Sequence, residues 1–319
     1  MPAISSSEIR GDVALAGGVA VQLPPQAVRA PAAPQPGALK TLIALTKPGI
    51  TRLVVLTAAA GFYLANVGPL QWLVLAHTLL GVALAAAGAN ALNQYVERDV
   101  DAAMARTRAR PLPAGLISAR RALLFALALA LGGTLYLAVV VNVTAALIVA
   151  TSIGSYVLVY TPLKRRTSLC TLAGAVPGAL PIVAGWAAAG RPLDAAAWSL
   201  FWILFLWQIP HFLALAWLYR EDYARAGFAM LSRGDVDGRA TGRQIVLYGV
   251  ALLPASLLPT LLGLTGSLYF LGALILGGAF LALGAAVSLV RTERRARRLF
   301  LASVLYLPAL LSLMVVDRL

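Results

Sequence analysis

The chain contains nine apolar stretches, each about long enough to cross a lipid bilayer as a helix. Polar or Gly- and Pro-containing segments separate them. We predict spans at 48–66, 71–97, 120–141, 143–161, 169–189, 196–219, 243–263, 268–290 and 299–316. Lipid offers the backbone no hydrogen-bond partners, so only helices and closed barrels can span it, and stretches of this length indicate helices. The sequence therefore predicts an all-α, polytopic membrane protein.

Composition agrees with this prediction. Hydrophobic residues make up 60% of the chain and charged residues only 12%, whereas a soluble domain has roughly 25% charged residues. Residues 1–38 are rich in Ala, Pro, Ser and Gln and lack a long apolar run, so we predict a disordered cytoplasmic tail before a membrane domain at 39–319. The single cysteine, Cys170, excludes an internal disulfide and a cysteine-based metal cluster.

The basic residues are sorted to one side of the predicted spans. Of the 26 Lys and Arg residues, 24 lie in the tail, at the start of the first span, or in and beside alternate connecting loops, and the two exceptions are Arg191 and Arg318. The positive-inside rule places these basic loops and the N-terminus in the cytoplasm and the C-terminus on the opposite side. Topology thus accounts for the net charge of +14, and nucleic-acid binding is not needed to explain it.

A polar stripe marks the cytoplasmic end of the second span. Asn93, Glu97 and Asp101 recur every four residues and therefore share one helix face with Asn90, while Asp99 points away. Such side chains can be solvated charges at a helix end. However, stacked carboxylate and amide oxygens are also suitable ligands for Mg²⁺, and two acids this close repel each other without a cation.

Arginines follow this stripe directly, at Arg106, Arg108 and Arg110. Metal ions and guanidinium groups together can neutralise a diphosphate, so the combination favours a diphosphate site over a solvated helix end. Two further elements also fall at cytoplasmic span ends. One is the Tyr-Thr-Pro-Leu-Lys run at 160–164, and the other is Trp-Gln-Ile-Pro-His-Phe at 207–212, followed by acidic residues at 221–222. The three elements could converge on one site.

These motifs resemble those of the UbiA-type intramembrane prenyltransferases. The Asn-x-x-x-Glu-x-x-x-Asp stripe with its arginines is similar to the first signature of that family, and the Tyr-x-x-x-Lys pattern at 160–164 is similar to a loop element of the family. The resemblance runs from about residue 42 to the C-terminus. It implies about nine helices around a lipid-accessible active-site cavity, and Mg²⁺ as the cofactor that binds the prenyl diphosphate.

Segments 45–50, 174–186, 207–212 and 222–227 resemble the haem-farnesylating branch of the family. That resemblance implies that a farnesyl group passes from farnesyl diphosphate to a vinyl group of protohaem IX (haem B), giving haem O and diphosphate. It further implies a bacterial inner-membrane enzyme, with possible hand-off of product to haem A synthase or to terminal oxidase assembly. Two features depart from the family pattern: position 97 is Glu where Asp is more common, and a second Asp-x-x-x-Asp motif has no literal counterpart.

The resemblance also implies roles for individual residues. Catalytic roles fall to Asn93, Glu97, Asp101, Tyr160 and Lys164. Metal ligation falls to Asn93, Glu97 and Asp101, with Glu221 or Asp222 completing a second metal site. Diphosphate binding falls to Arg106, Arg110, Lys164 and Arg220. His211 is the candidate haem-binding residue, whereas His77 has no companion motif and is expected to be structural.

Two alternative functions and one structural question stay open at this point. The first is a family member that prenylates an aromatic acceptor such as 4-hydroxybenzoate, which would carry the complete second acidic motif. The second is a transporter, which would place its polar residues near the bilayer midplane. The structural question concerns Trp202, Trp207, Phe212 and Trp217. These residues could line a farnesyl cavity, but most of them are expected to be packing or interface residues.

Overall fold

The computed structural model describes residues 37–319, and the regular elements in this range are all helices. The predicted tail, apart from its last two residues, lies outside the described part of the chain. Nine of the described helices are long and apolar enough to cross a membrane. They are α2 (Pro48–Ala65), α3 (Trp72–Ala102), α4 (Ala119–Val141), α5 (Val143–Leu163), α6 (Cys170–Ala188), α7 (Ala195–Leu218), α10 (Arg239–Leu261), α11 (Ser267–Leu289) and α12 (Glu293–Val316). The nine predicted spans are therefore confirmed.

Three short helices lie between or before these spans: α1 (Ala38–Leu45), α8 (Arg220–Arg225) and α9 (Leu231–Gly234). Two spanning helices are longer than hydropathy predicts. Helix α3 continues to Ala102, so the whole polar stripe is helical, and α12 begins at Glu293, where the Thr292 hydroxyl accepts a hydrogen bond from the Arg295 amide. In both cases charged residues limit the apolar window, whereas the helix itself continues through them.

Helices α6 and α7 form the interior of the bundle. In their most apolar windows, 72% and 67% of the residues are buried, against 22–39% in the other seven spans. Small residues allow close contact around them: a Cβ at Gly61 would lie 1.9 Å from the Ile182 carbonyl oxygen, and one at Gly185 would lie 1.9 Å from that of Ala58. Contacts between α2 and α12 join the first and last spans.

Helices α4 and α5 each contain a wider, π-helical stretch near their C-terminal ends, at Leu137–Val141 and Ser155–Tyr160. Turns of this kind are rare and are frequent at functional sites. In α5 the wider turn contains Tyr156 and Tyr160, whose rings stack with centroids 5.7 Å apart and both line the central cavity. A last short helical segment, Thr161–Leu163, separates this turn from Lys164, which caps the helix.

Neighbouring glycines in α4 provide a test of the α3–α4 contact. A Cβ at Gly133 would lie 2.5 Å from the Ala85 amide nitrogen and 2.7 Å from the Gly81 carbonyl oxygen, whereas one at Gly132 would meet nothing within 4 Å. We expect Gly133→Ala to destabilise the protein by about 1–3 kcal/mol, because overpacking forces backbone shifts. Gly132→Ala should be neutral or slightly stabilising. Thermal unfolding of both variants in detergent measures the difference, and equal melting temperatures would contradict it.

Candidate functional site

The polar stripe of α3 is buried in the bundle. Asn93, Glu97 and Asp101 are 1%, 6% and 1% exposed. Each contacts a cation from a different part of the chain: the Lys47 Nζ lies 2.7 Å from Asn93 Oδ1, Lys164 Nζ lies 2.7 Å from Glu97 Oε1, and an Arg110 Nη lies 2.7 Å from Asp101 Oδ2. Because an unpaired buried charge is very costly, these contacts are the reason that the stripe can be buried. The cluster is the polar part of the site.

Lys47 reaches the cluster through an unusual backbone conformation. It is the one described non-glycine residue with positive φ (48°), and Pro48 follows it as the first residue of α2. A left-handed conformation costs a lysine roughly 1–2 kcal/mol and occurs preferentially at functional sites. Burial, together with the nearby charges of Arg110 and Lys164, lowers the pKa of Lys47 to about 7. An anion placed beside this amine would stabilise its protonated form.

Lys164 occupies the opposite side of Glu97. Its ammonium lies 4.5 Å from the centre of the Tyr160 ring and 5.6 Å from that of Phe228, and its carbonyl accepts a hydrogen bond from the Ala229 amide. Burial alone would lower the pKa of Lys164, but the charge and hydrogen bond of Glu97 outweigh burial and raise it. The ammonium is therefore held charged at neutral pH.

One carboxylate oxygen of Asp101 has no partner among the described residues. Its Oδ2 pairs with Arg110, but its Oδ1 is buried and has no hydrogen-bond partner. An orphaned carboxylate oxygen is unfavourable in a buried site unless a cation or a donor reaches it. Together with Asn93 and Glu97 it forms a set of hard oxygen ligands of the type that Mg²⁺ prefers. The described residues therefore fit the predicted metal site on the α3 side.

The other predicted site residues lie apart from this cluster. Glu221 is exposed, Asp222 pairs with Arg225, and Arg220 pairs with Glu293 at 3.1 Å. These residues surround a separate small pocket. Within residues 37–319, no group of three His, Cys, Asp or Glu side chains could hold a metal ion together. The second metal site stays a prediction, and within residues 37–319 neither Glu221 nor Asp222 forms a hydrogen bond or ion pair with the stripe.

Arg106 lies in the connection between α3 and α4. Its guanidinium lies 5.3 Å from the centre of the Tyr219 ring, which links the loop after α3 to the loop after α7. Burial raises the pKa of the nearby Tyr223 hydroxyl, whereas the charges of Arg106 and Lys164 lower it. Arg106 forms no salt bridge among the described residues, so its charge is available to an anion at this face.

An apolar cavity of about 370 Å³ lies next to the charged cluster. Helices α2, α3, α5, α6 and α7 contribute most of its wall. Polar groups in the wall are Thr57, Asn90, Ser152, Tyr156, Tyr160, Gln208 and His211. His211 is half-buried there, with its Nδ1 2.6 Å from the Ser303 hydroxyl. Of the four aromatic residues in question, Trp207 and Phe212 line the cavity, Trp217 is buried elsewhere, and Trp202 is 47% exposed on the outside.

His77 lies near the other end of α3, away from the cluster. Its Nδ1 is 2.5 Å from the Tyr136 hydroxyl, an interaction that joins α3 to α4. This geometry agrees with the expected structural role.

Three residues that contact the site have no role in the sequence interpretation: Lys47, Tyr156 and Thr161. The hydroxyl of Thr161 accepts a hydrogen bond from the Asn93 side-chain amide, and Tyr156 lies one turn before Tyr160 on the cavity wall. For Lys47 a signal exists, since this lysine directly precedes Pro48, where the first span begins. The sequence shows where it lies along the chain, but not that its backbone turns the side chain inward.

Comparison with known proteins identifies relatives over most of the chain. The model for the UbiA prenyltransferase family matches residues 54–307. Proteins named protoheme IX farnesyltransferase are 48% identical in Solibacter usitatus, over 88% of this chain and 99% of the relative, and 44% identical in Koribacter versatilis, over 90% and 97%. The Aquifex aeolicus protein of that name is 39% identical over 88% and 95%.

Solved structures share the fold. A digeranylgeranylglyceryl phosphate synthase superposes with a TM-score of 0.74 at 18% identity, covering 88% of this chain and 98% of that one. A UbiA homologue from Archaeoglobus fulgidus bound to GPP and Mg²⁺ superposes with a TM-score of 0.63 at 16% identity, over 86% and 99%. At these identities the likeness concerns the fold alone.

The orphaned oxygen of Asp101 leads to a binding prediction. Asp101→Asn should weaken the binding of magnesium diphosphate by roughly 10- to 100-fold, because it removes an anionic ligand and the partner of Arg110. Asp99→Asn is the matched control, since Asp99 is 85% exposed on the same helix and pairs only with Arg98. Calorimetric titration of the detergent-solubilised protein with Mg²⁺ and inorganic diphosphate compares the two. Equal affinities in both variants would contradict the assignment of Asp101 as a ligand.

Proposed function

The chain belongs to the UbiA prenyltransferase family, and we infer from its relatives that it transfers a farnesyl group from farnesyl diphosphate to a vinyl group of protohaem IX. The products are haem O and diphosphate. The observation that carries this assignment is the 44–48% identity to proteins named protoheme IX farnesyltransferase along nearly their whole length. The charged cluster beside an apolar cavity suits a substrate with an anionic head and a hydrocarbon tail.

The diphosphate is bound at the charged cluster in this proposal. Lys47, Arg110 and Lys164 offset its negative charge, and Arg106 adds a fourth cation from the loop. Asn93, Glu97 and Asp101 would hold Mg²⁺, which when bound supplies positioning and Lewis acidity toward the leaving diphosphate. Glu221, Asp222 and Arg220 lie on α8 and would join only if this helix moved toward the cluster.

Farnesyl transfer needs a cationic intermediate to survive. The C1–O bond of farnesyl diphosphate breaks, and its electron pair leaves with the diphosphate. The resulting allylic cation is attacked by a haem vinyl group, and water then adds to the new cation and releases a proton. The largely apolar cavity keeps water away from the allylic cation until the vinyl group has attacked it. The faces of the stacked Tyr156 and Tyr160 rings stabilise positive charge near the cluster.

His211 is the proposed contact for haem. It lies on the cavity wall, and its imidazole can act as an axial ligand to haem iron. The sorted charge would place the basic loops on the cytoplasmic side of a bacterial inner membrane. Hand-off of haem O to haem A synthase or to terminal oxidase assembly would follow within that membrane.

Expression in a bacterial host whose own haem O synthase is deleted tests the function. We expect haem O to appear by mass spectrometry of extracted pigments. Glu97→Gln and Asp101→Asn should lower its yield by at least about 100-fold, because each removes a carboxylate that would hold the Mg²⁺ needed to stabilise the leaving diphosphate. Asp99→Asn should leave the yield unchanged.

The same assay separates the alternative acceptor. If haem B stays unmodified while labelled 4-hydroxybenzoate gains a prenyl chain, the chain remains a prenyltransferase and the haem assignment is wrong. The names of the relatives favour haem.

A further inference from the structure

Ser303 of α12 contacts the candidate haem residue from outside the cavity. Its hydroxyl oxygen lies 2.6 Å from His211 Nδ1 and 2.6 Å from the Phe300 carbonyl oxygen one turn earlier in the same helix. Ser303 is fully buried and lies 92 residues from His211 in the chain. Neither the motifs in the sequence nor the proposed function assigns it a role.

The two short contacts determine where the protons lie. A serine hydroxyl has a single proton, and the carbonyl of Phe300 can only accept a hydrogen bond. If that proton pointed at His211, the Ser303 hydroxyl oxygen and the Phe300 carbonyl oxygen would face each other at 2.6 Å with no proton between them, which is repulsive. The serine proton therefore goes to Phe300, and His211 must donate from Nδ1–H to the serine oxygen.

This direction fixes the other side of the imidazole ring. In the neutral ring, a proton on Nδ1 leaves Nε2 with a free lone pair. Within residues 37–319, Nε2 of His211 has no hydrogen-bond partner, and it is not among the fully buried polar atoms that lack one. The side chain lines the cavity. The lone pair is thus accessible to a ligand in the cavity.

Neighbouring aromatic rings hold the imidazole in place. The Trp207 ring stacks on His211 with centroids 5.4 Å apart, and the Phe300 ring lies 4.9 Å away. The indole N–H of Trp207 donates to the Ser303 carbonyl at 2.9 Å, which ties the same tryptophan to the serine. The ring of His211 is therefore restrained both in rotation and in tautomer.

We propose that Ser303 is a positioning residue that holds His211 in the Nδ1–H tautomer and so presents a free Nε2 lone pair to the iron of the haem substrate. This inference rests on the proposed function for the identity of the ligand. Histidines that ligate metals generally donate their other ring N–H to a fixed acceptor, which orients the ring and raises its basicity. Ser303 supplies that acceptor here, and farnesyl diphosphate is bound by other residues.

The tautomer can be measured directly, because the chain has only two histidines. We would label the full chain with ¹⁵N-histidine in a His77→Asn background, so that His211 gives the only imidazole signals. Solid-state NMR in lipid should show a protonated Nδ1 and an unprotonated Nε2. A protonated Nε2, or a mixture of the two forms, would overturn the proposal.

Three variants test the consequence for haem. Ser303→Ala should weaken haem B binding by roughly 10-fold and change the Soret band of the complex, while the KM for farnesyl diphosphate stays constant. Ser303→Thr keeps a hydroxyl and should restore the Soret band. Ser256→Ala is the matched control, because Ser256 is also fully buried and bonds a helix carbonyl and the Tyr306 hydroxyl, but does not contact His211.

The outcomes separate this inference from the proposed function. If haem O forms and Ser303→Ala binds haem B like Ser256→Ala, with an unchanged Soret band, Ser303 is only structural and the inference is wrong. If the unmodified chain neither binds haem B nor makes haem O, the proposed function fails, and the ligand part of the inference fails with it. The NMR result still decides the tautomer in that case.

Discussion

The buried ion pair between Lys164 and Glu97 is the interaction on which the site depends. Both side chains are nearly inaccessible, and the pair joins α3 to the end of α5 at 2.7 Å. Removing either partner from such a pair would leave an uncompensated charge, which typically costs about 3–5 kcal/mol. The pair therefore fixes the relative positions of two helices, and the cavity wall that contains Tyr156 and Tyr160 follows from that position.

Helical periodicity predicts the polar stripe but not its partners. Residues four apart share a helix face whatever the rest of the fold does, so Asn93, Glu97 and Asp101 could be grouped from the sequence alone. Lys47 and Lys164 meet this stripe from 46 and 67 residues away. Contacts at such separations depend on how the helices pack, which local patterns do not specify.

Hydropathy predicts the nine spans for a related reason: lipid imposes one requirement on every span, and each span shows it locally. The wider turns of α4 and α5 carry no such local signal. Ser303 is a further example, since a serine within an apolar helix is ordinary, and its role arises only from its contact with His211. Residues that act through another residue are therefore the hardest to identify from a sequence.

The charged cluster adjoins a cavity of mostly hydrocarbon character, at the end of helices that cross the membrane. An amphiphile with a diphosphate head and a prenyl tail already has the same arrangement in a bilayer, with its head at the surface and its tail inside. The bilayer has thus removed most of its rotational freedom before it meets the protein. Binding then costs less orientational entropy than capture from water would. The membrane serves as a preorganising solvent for the reaction.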